Sequence, residues 1–291
     1  MELNGGGPQG ALWGILEYFK YIDDLSILEK ANLLFIGLST YNFKQNVASD
    51  IPQDGFFLDP ENLKTQDSLN RISEWTKQNQ MLLNIKKTKT MNFNFTRNHQ
   101  FASRLKIENE VLETITETKL LGVIVTDTLS WDPNTKYIVK RANARMRMLH
   151  KLVEFNVPVE DLLIIYILYI RSVLEQSCQV WHSSLTFENL TDIERVQKNA
   201  LRIILKEDYN NYAQALLKCG LDSLVDRREL LCLKFARSAL KNENVKDMFP
   251  PNLPDSTEIR DREPFKVTFA RTDRLKTSAI PYMQRLLNAN K

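Results

Sequence analysis

Residues 134–154 read NTKYIVKRANARMRMLHKLVE, and this stretch decides the character of the second half of the chain. At about 100° per residue, its apolar side chains fall on one side of a helix and its cations on nearly the opposite side. The apolar set is Ile138, Ala142, Met146, Leu149 and Val153, and the basic set is Lys136, Lys140, Arg147 and Lys151. The stretch therefore predicts a long amphipathic helix, which Pro133 can open.

The basic side of this helix has two interpretations. It can be a solvated surface, as most charged helix faces are, or it can neutralise the phosphates of a nucleic acid. Ordinary surface helices mix charges of both signs, yet no acidic residue lies between Pro133 and Glu154. The absence of acidic side chains along this stretch favours the second interpretation, phosphate binding.

Helical patterns continue after this stretch. Pro158 and Asp161 predict the start of a helix that runs to about Cys178. Thr191 and Glu194 have the spacing of a capping box, T-x-x-E, at the start of another helix. Gly220 is a candidate C-terminal cap, and residues 224–240 predict one more helix. Residues 131–248 are therefore expected to form a helical region.

The character of the chain changes after Met248. Pro250, Pro251 and Pro254, together with many charges, predict an extended, mobile tail over residues 249–291. Within it, residues 279–287 carry a short apolar cluster that could dock back on the body of the protein. This tail is the third expected region of the chain.

The first 130 residues combine both kinds of secondary structure. Helical spacing over residues 65–83 is followed by alternation over residues 89–95. Further strands are predicted as a hairpin over residues 105–112 and as a short apolar strand over residues 120–126. Residues 18–28 suggest two strands around Asp23 and Asp24, and residues 37–66 read as a loop. The predicted fold is thus α+β over 1–130, then all-α.

The overall composition argues against several classes of protein, namely membrane-spanning, secreted, and zinc- or redox-motif proteins. The longest apolar run, nine residues from Leu162 to Ile170, is far shorter than the ~20 residues of a membrane span. No apolar segment of a signal peptide follows Met1. The three cysteines lack the spacing of a zinc or redox motif, and we expect ordinary buried thiols in an intracellular, reducing compartment. The sequence does not distinguish cytoplasm from nucleus.

Two tryptophans, one histidine and one charge pair have competing interpretations. Trp131 and Trp181 could stack on bases, but core packing is the more common role of such residues. His182 beside Trp181 is too isolated to indicate catalysis. Arg171 and Glu175 have the spacing of an intrahelical ion pair.

Asp23 and Asp24 are the strongest chemical signal. Adjacent carboxylates in a turn between apolar strands can supply the hard oxygen ligands that Mg²⁺ prefers. The alternative is a solvated hairpin tip, because Asp also favours turns.

An ordered set of short motifs resembles the reverse transcriptases of non-LTR (LINE-type) retrotransposons. Gly6-Gly7-Pro8-Gln9-Gly10 resembles their "GxPQG" segment, and Tyr21-Ile22-Asp23-Asp24 resembles the hairpin of their palm. Residues 83–89, LNIKKTK, and 119–123, KLLGV, are similar to their "LNxxKTK" and primer-grip segments. Matches to the thumb and the region after it extend to about residue 250. Single motifs are weak, but their common order is a strong signal.

The resemblance implies a partial palm, a primer grip and a thumb that hold an RNA template and a DNA primer. It implies that Asp23 and Asp24 bind Mg²⁺ and that Lys87 lies near the incoming nucleotide. It further implies that Pro8, Gln9 and Gly10 lie near the templating base pair and that Leu121 and Gly122 contact the primer. The basic helix becomes the duplex-binding face of the thumb. For Lys87 the alternative is a lysine-rich solvated loop.

Two departures from the family pattern limit the expected activity. Only 12 residues separate Gly10 from Asp23, where the family places a helix, a loop and a strand. The family's other metal-binding Asp, upstream of "PQG", has no counterpart, and neither do the fingers. We therefore expect a truncated, inactive RNA-directed DNA polymerase. The alternative is a non-enzymatic remnant that binds nucleic acid, or a protein partner through exposed palm surface.

Overall fold

The computed structural model describes residues 30–35, 38–39, 63–78, 82–94, 105–242, 245–251 and 263–290. The chain divides into two compact units, residues 1–130 and residues 131–291. Helices and small sheets both occur, so the predicted α+β class is confirmed at this coarse level. None of the described helices combines the length and apolar character needed to cross a membrane.

Short strands form most of the described first unit. They are β1 (Lys30–Phe35), β2 (Leu38–Ser39), β3 (Leu82–Leu83), β4 (Lys89–Asn94), β5 (Lys106–Ile107), β6 (Glu110–Val111), β7 (Glu113–Thr114), β8 (Glu117–Leu120) and β9 (Val123–Thr126). Strand β4 pairs with β1 in antiparallel and with β7 in parallel orientation. Met91 and Phe93 are buried on one face of β4, as the alternation predicts.

Helix α1 (Leu63–Gln78) packs its apolar side on the β5–β6 hairpin. Leu69 is buried in one cluster with Leu105, Ile107 and Leu112. The amide of Gln66 donates to the carbonyl of Lys106 at 2.8 Å and accepts from its backbone N–H at 2.9 Å. The side chain therefore continues the hydrogen bonding of β5 at its open edge.

Four predicted elements of the first unit need correction or lie wholly or partly outside the described residues. Helix α1 ends at Gln78 rather than near residue 83, because Leu82 and Leu83 pair with β2. The predicted strand over 120–126 is interrupted at its start, since Leu121 and Gly122 form the turn between β8 and β9. The predicted hairpin at residues 18–28 lies outside the described residues. Only the edges of the expected loop at 37–66 are described, as β2 and the start of α1.

The second unit is built from helices. They are α2 (Asp132–Glu154), α3 (Val159–Ile165), a π-helical turn (Tyr166–Arg171), α4 (Ser172–Glu175), α5 (Cys178–Trp181), α6 (Phe187–Leu205), α7 (Tyr212–Cys219), α8 (Leu224–Ala239), α9 (Asp273–Thr277) and α10 (Ala279–Ala289). Helix α2 matches the predicted amphipathic helix. Short 3-10 turns join several of these helices.

The helix predicted to start at Pro158 and Asp161 and to run to about Cys178 does start there, with Pro158 as its N-cap, but it is not continuous. It widens into the π-helical turn at Tyr166 and ends at Gln176, where Ser177 takes a left-handed conformation with φ 53°. Trp181 then donates its indole N–H back to the carbonyl of Gln176 at 3.1 Å. Arg171 and Glu175 do form the predicted ion pair, at 3.4 Å.

The capping box predicted at Thr191 is wrong. Helix α6 begins five residues earlier, because Thr186 already caps it by accepting a hydrogen bond from the backbone N–H of Asn189 at 3.2 Å. Thr191 lies inside the helix and donates to the carbonyl of Phe187. Gly220, by contrast, ends α7 in the left-handed conformation expected of a C-terminal cap, with φ 60°.

The final segment differs from the extended tail expected over 249–291. Within its described part, α10 buries Met283, Leu286 and Leu287. The amide of Gln284 donates to the carbonyl of Met248 at 2.8 Å and accepts from the N–H of Thr268 at 2.7 Å. Apolar burial and satisfied backbone groups together hold this segment on the helical unit, as the apolar cluster at 279–287 suggested.

Candidate nucleic-acid interface

Helix α2 has one buried and one exposed face. Ile138, Ala142, Met146 and Leu149 are buried, and the helix packs on α6 and on the π-helical turn. At its N-terminal end, Asn189 of α6 donates its side-chain N–H to the carboxylate of Asp132 at 2.6 Å. The helix is therefore anchored on one side and presents the other side to solvent.

The exposed side carries the four predicted cations, which we call the basic face: Lys136, Lys140, Arg147 and Lys151. All four are exposed. At about 100° per residue they fall within an arc of about 60°, and at 1.5 Å rise they extend over about 22 Å. The face is thus a narrow, straight row of positive charge on a rigid support.

No carboxylate neutralises the basic face within the described part of the chain. The ion pairs among the described residues involve other cations: Lys77, Lys89, Arg171, Arg195, Lys218 and Arg227. Among the described residues, Arg147 donates only to the carbonyl of Ala144, at 3.4 Å. The unneutralised charge of the basic face remains available to an external anion.

Beside the basic face lies a second set of side chains that the sequence patterns did not reveal. Arg145 places its guanidinium 4.3 Å from the ring centre of Tyr169 and also donates to the Tyr169 carbonyl. Arg141 lies 5.4 Å from the ring centre of Tyr137 and donates to the side-chain oxygen of Gln176 at 3.3 Å. We call Tyr137, Arg141, Arg145 and Tyr169 the Arg–Tyr edge.

The residues matched to the primer grip form a tight turn. Leu121 and Gly122 both have positive φ, 48° and 93°, as the central pair of a type I′ hairpin turn does. Leu121 is exposed despite being apolar. A leucine rarely adopts positive φ, and such strained positions often lie at functional sites.

Two of the three lysines within the LNIKKTK segment, Lys87 and Lys89, differ in their surroundings. Lys89 pairs with Glu113 across the β4–β7 ladder. Lys87 is exposed in the turn before β4, and its backbone N–H donates to the carbonyl of Asn84 at 3.0 Å and to its side-chain oxygen at 3.1 Å. Lys87 takes part in none of the ion pairs among the described residues, so its ammonium group is the more available of the two.

A buried polar cluster lies elsewhere in the helical unit. Arg228 is fully buried, and its Nε donates to Nδ1 of His182 at 3.3 Å. Its two Nη groups have no hydrogen-bond partner among the described residues. Burial is the main cause that lowers the pKa of His182 from 6.5 to about 3, and the positive charge of Arg228 is the smaller cause. His182 is therefore a neutral core residue at physiological pH, and Trp181 and Trp131 are buried as well.

The predicted metal ligands Asp23 and Asp24 lie outside the described residues, as do Pro8, Gln9 and Gly10. Their carboxylate oxygens are the ligand type that fits Mg²⁺. Among the residues that the structure does describe, no group of three His, Cys, Asp or Glu side chains could hold a metal ion. Cys178 and Cys232 are buried thiols, as expected, and Cys219 is partly buried.

Comparison of the chain with protein-family models, with curated proteins and with solved structures found no match. The assignment of a function therefore rests on the residues of the chain and on their geometry.

Proposed function

We propose that the chain is a reverse-transcriptase-type protein of the non-LTR class whose helical unit binds a nucleic-acid duplex. The observation that carries the proposal is the basic face: four exposed cations in one row, without a neutralising carboxylate in the described residues. The position of this row directly after the primer-grip turn in the sequence is the position of the thumb in the resembling family.

A duplex fits the shape of the basic face. Successive phosphates of one DNA strand are about 3.4 Å apart along the helix axis, so a row of about 22 Å spans about six base pairs. Flexible lysines and one exposed arginine in a row suit contacts to the phosphate backbone. Such contacts position a duplex but carry no sequence information. We therefore propose binding without sequence preference.

The test is the affinity of the full chain for a labelled 20-base-pair RNA–DNA duplex, measured by fluorescence anisotropy. Replacing Lys136, Lys140, Arg147 and Lys151 by Ala is expected to weaken binding at least about 100-fold at 0.1 M salt. A matched variant carries four Ala substitutions at other exposed lysines of the same unit: Lys234, Lys241, Lys266 and Lys276. Equal losses in the two variants would reject the basic face as the binding site.

RNA-directed DNA synthesis is the second candidate function, and Tyr21-Ile22-Asp23-Asp24 is the feature that favours it. When bound, Mg²⁺ would supply the charge that stabilises nucleotidyl transfer. Asp23 and Asp24 would hold it, and Lys87 would approach the nucleotide phosphates. The short connection between Gly10 and Asp23 leads us to propose that this activity is absent. Primer extension on an RNA template, lost in Asp23→Ala, would show that it is present.

A further inference from the structure

The surface of α2 continues from the basic face onto the Arg–Tyr edge. At about 100° per residue, Tyr137, Arg141 and Arg145 follow the basic face around the helix at increasing angles. The intervening surface is open, because Ala144 is exposed and Met148 is 43% exposed. A ligand that lies on the basic face can therefore reach the Arg–Tyr edge without crossing a barrier.

The π-helical turn shapes the far side of the Arg–Tyr edge. Its widened backbone leaves two neighbouring large side chains at the surface, Leu168 at 69% and Tyr169 at 43% exposure. π-Helical turns are rare and occur frequently at functional sites. Ile164, one turn earlier, is also exposed. The turn thus presents an aromatic and aliphatic platform beside two guanidinium groups.

The Arg–Tyr edge has the two kinds of group that bind unpaired nucleotides. Arg145 uses one guanidinium N–H for the Tyr169 carbonyl, and its other N–H groups can contact phosphate. Arg141 and Arg145 are one helical turn apart, about 6 Å along the axis, so they can contact neighbouring phosphates. Aromatic rings stack on bases of any sequence. The contact of each guanidinium with a tyrosine ring holds the rings in place before a ligand binds.

We propose that the Arg–Tyr edge binds an unpaired strand that continues from a duplex held on the basic face. This inference rests on the proposed function and adds the form of the ligand, a duplex with a single-stranded extension. A base stacks on Tyr169 and packs against Leu168, while Arg141 and Arg145 neutralise the neighbouring phosphates. An acidic protein segment would use the cations but would leave the aromatic platform without a stacking partner.

The test compares a blunt 20-base-pair RNA–DNA duplex with the same duplex carrying six unpaired nucleotides at one end. We expect the extension to tighten binding to the wild-type chain about tenfold, the effect of stacking about one base. The double variant Leu168→Ala with Tyr169→Ala is expected to lose this tenfold gain. Tyr169→Phe keeps the ring and is expected to retain the gain.

A matched control removes the same kind of contact elsewhere. Arg202 lies 5.3 Å from the ring centre of Tyr209, in a pair like those of the Arg–Tyr edge. Tyr209→Ala is therefore expected to leave the effect of the extension unchanged. If Tyr209→Ala abolishes the gain as fully as the double variant does, the Arg–Tyr edge is not the site.

The outcomes separate the inference from the function on which it rests. Blunt-duplex binding that depends on the basic face, with no gain from the extension, would overturn the inference alone. No binding of either duplex would overturn both. A poly-glutamate peptide that binds the wild-type chain but not a variant with Arg141→Ala and Arg145→Ala, together with no gain from the extension, would identify the edge as a protein-binding surface and would also overturn the inference.

Discussion

The carboxylate of Glu194 accepts hydrogen bonds from the backbone N–H of Leu224, with both oxygens 3.1 Å from the nitrogen. Leu224 is the first residue of α8, whose N-terminal N–H groups lack partners within the helix. Glu194, in the middle of α6, therefore supplies an acceptor to the first N–H of α8 across 30 residues of sequence, beside the N-cap Ser223, which accepts from the N–H of Asp226 at 3.1 Å. The same carboxylate accepts from the hydroxyl of Tyr212. Burial is the main cause that raises the pKa of Tyr212, and this hydrogen bond is the next largest cause.

Removal of this carboxylate is expected to destabilise the helical unit. Glu194→Ala should lower the free energy of unfolding by about 2 kcal/mol, because the buried Leu224 N–H and the Tyr212 hydroxyl lose their acceptor. Glu194→Gln keeps an acceptor oxygen and should cost less. Urea-induced unfolding followed by circular dichroism measures both values. The exposed Glu207→Ala should change stability by less than about 0.5 kcal/mol, and a loss equal to that of Glu194→Ala would contradict the role of Glu194 as an acceptor.

The low pKa of His182 predicts a dependence of stability on pH. The folded state keeps this imidazole neutral down to about pH 3, whereas the unfolded chain binds a proton below about 6.5. The unfolded state therefore binds more protons between these values, and stability falls as the pH decreases from 6.5 toward 3. Between pH 7 and pH 5, the protonation of His182 in the unfolded chain should lower the free energy of unfolding by about 2 kcal/mol.

The variant His182→Gln cannot titrate and offers an oxygen to Arg228. The difference in stability between wild type and this variant should therefore change by about 2 kcal/mol from pH 7 to pH 5. Urea unfolding at several pH values measures it, and His150→Gln, at an exposed position of α2, is the control. Parallel pH profiles of wild type and His182→Gln would contradict the account.

Arg228 is expected to reduce the stability of the core in which it lies. Its guanidinium is buried over the indole of Trp181, 5.9 Å from the ring centre, and its two Nη groups lack partners in the described residues. An unpaired buried charge is unfavourable, and an apolar side chain of similar volume often replaces it without loss. Arg228→Met should therefore leave the free energy of unfolding unchanged or raise it by up to about 3 kcal/mol. The melting temperature should stay the same or rise accordingly.

The neighbouring Arg227 provides the contrast. It pairs with Glu175 at 3.1 Å and is partly exposed, so Arg227→Met should destabilise the protein by about 1 kcal/mol. In thermal unfolding, the melting temperature of Arg227→Met should therefore decrease. That of Arg228→Met should increase or stay the same. A large decrease in Arg228→Met would mean that its guanidinium has a stabilising partner.

Local periodicity was sufficient to predict much of the fold. Helix α2, the cap at Gly220 and the buried face of β4 follow from patterns within a few residues. Errors arose where two local signals competed. Thr186 and Thr191 both precede apolar residues at helical spacing, and only the three-dimensional packing shows that the first one caps α6.

Contacts between distant segments were beyond prediction from one sequence. Nothing near Arg228 indicates that it meets His182 across 46 residues. The Arg–Tyr edge likewise depends on Tyr169 lying beside Arg145, which requires the packing of the π-helical turn on α2. The basic face could be predicted because all of its residues belong to one helix. The predicted carboxylate pair at Asp23 and Asp24 stays a prediction.

The salt dependence of duplex binding tests the role of the basic face most directly. Each phosphate contact releases counterions and adds about 0.9 to the slope of log Kd against log salt concentration. Replacement of the four cations by Ala should therefore reduce this slope by about 3 to 4, and the matched lysine variant should keep the wild-type slope. Parallel lines for wild type and the basic-face variant would contradict phosphate binding by α2.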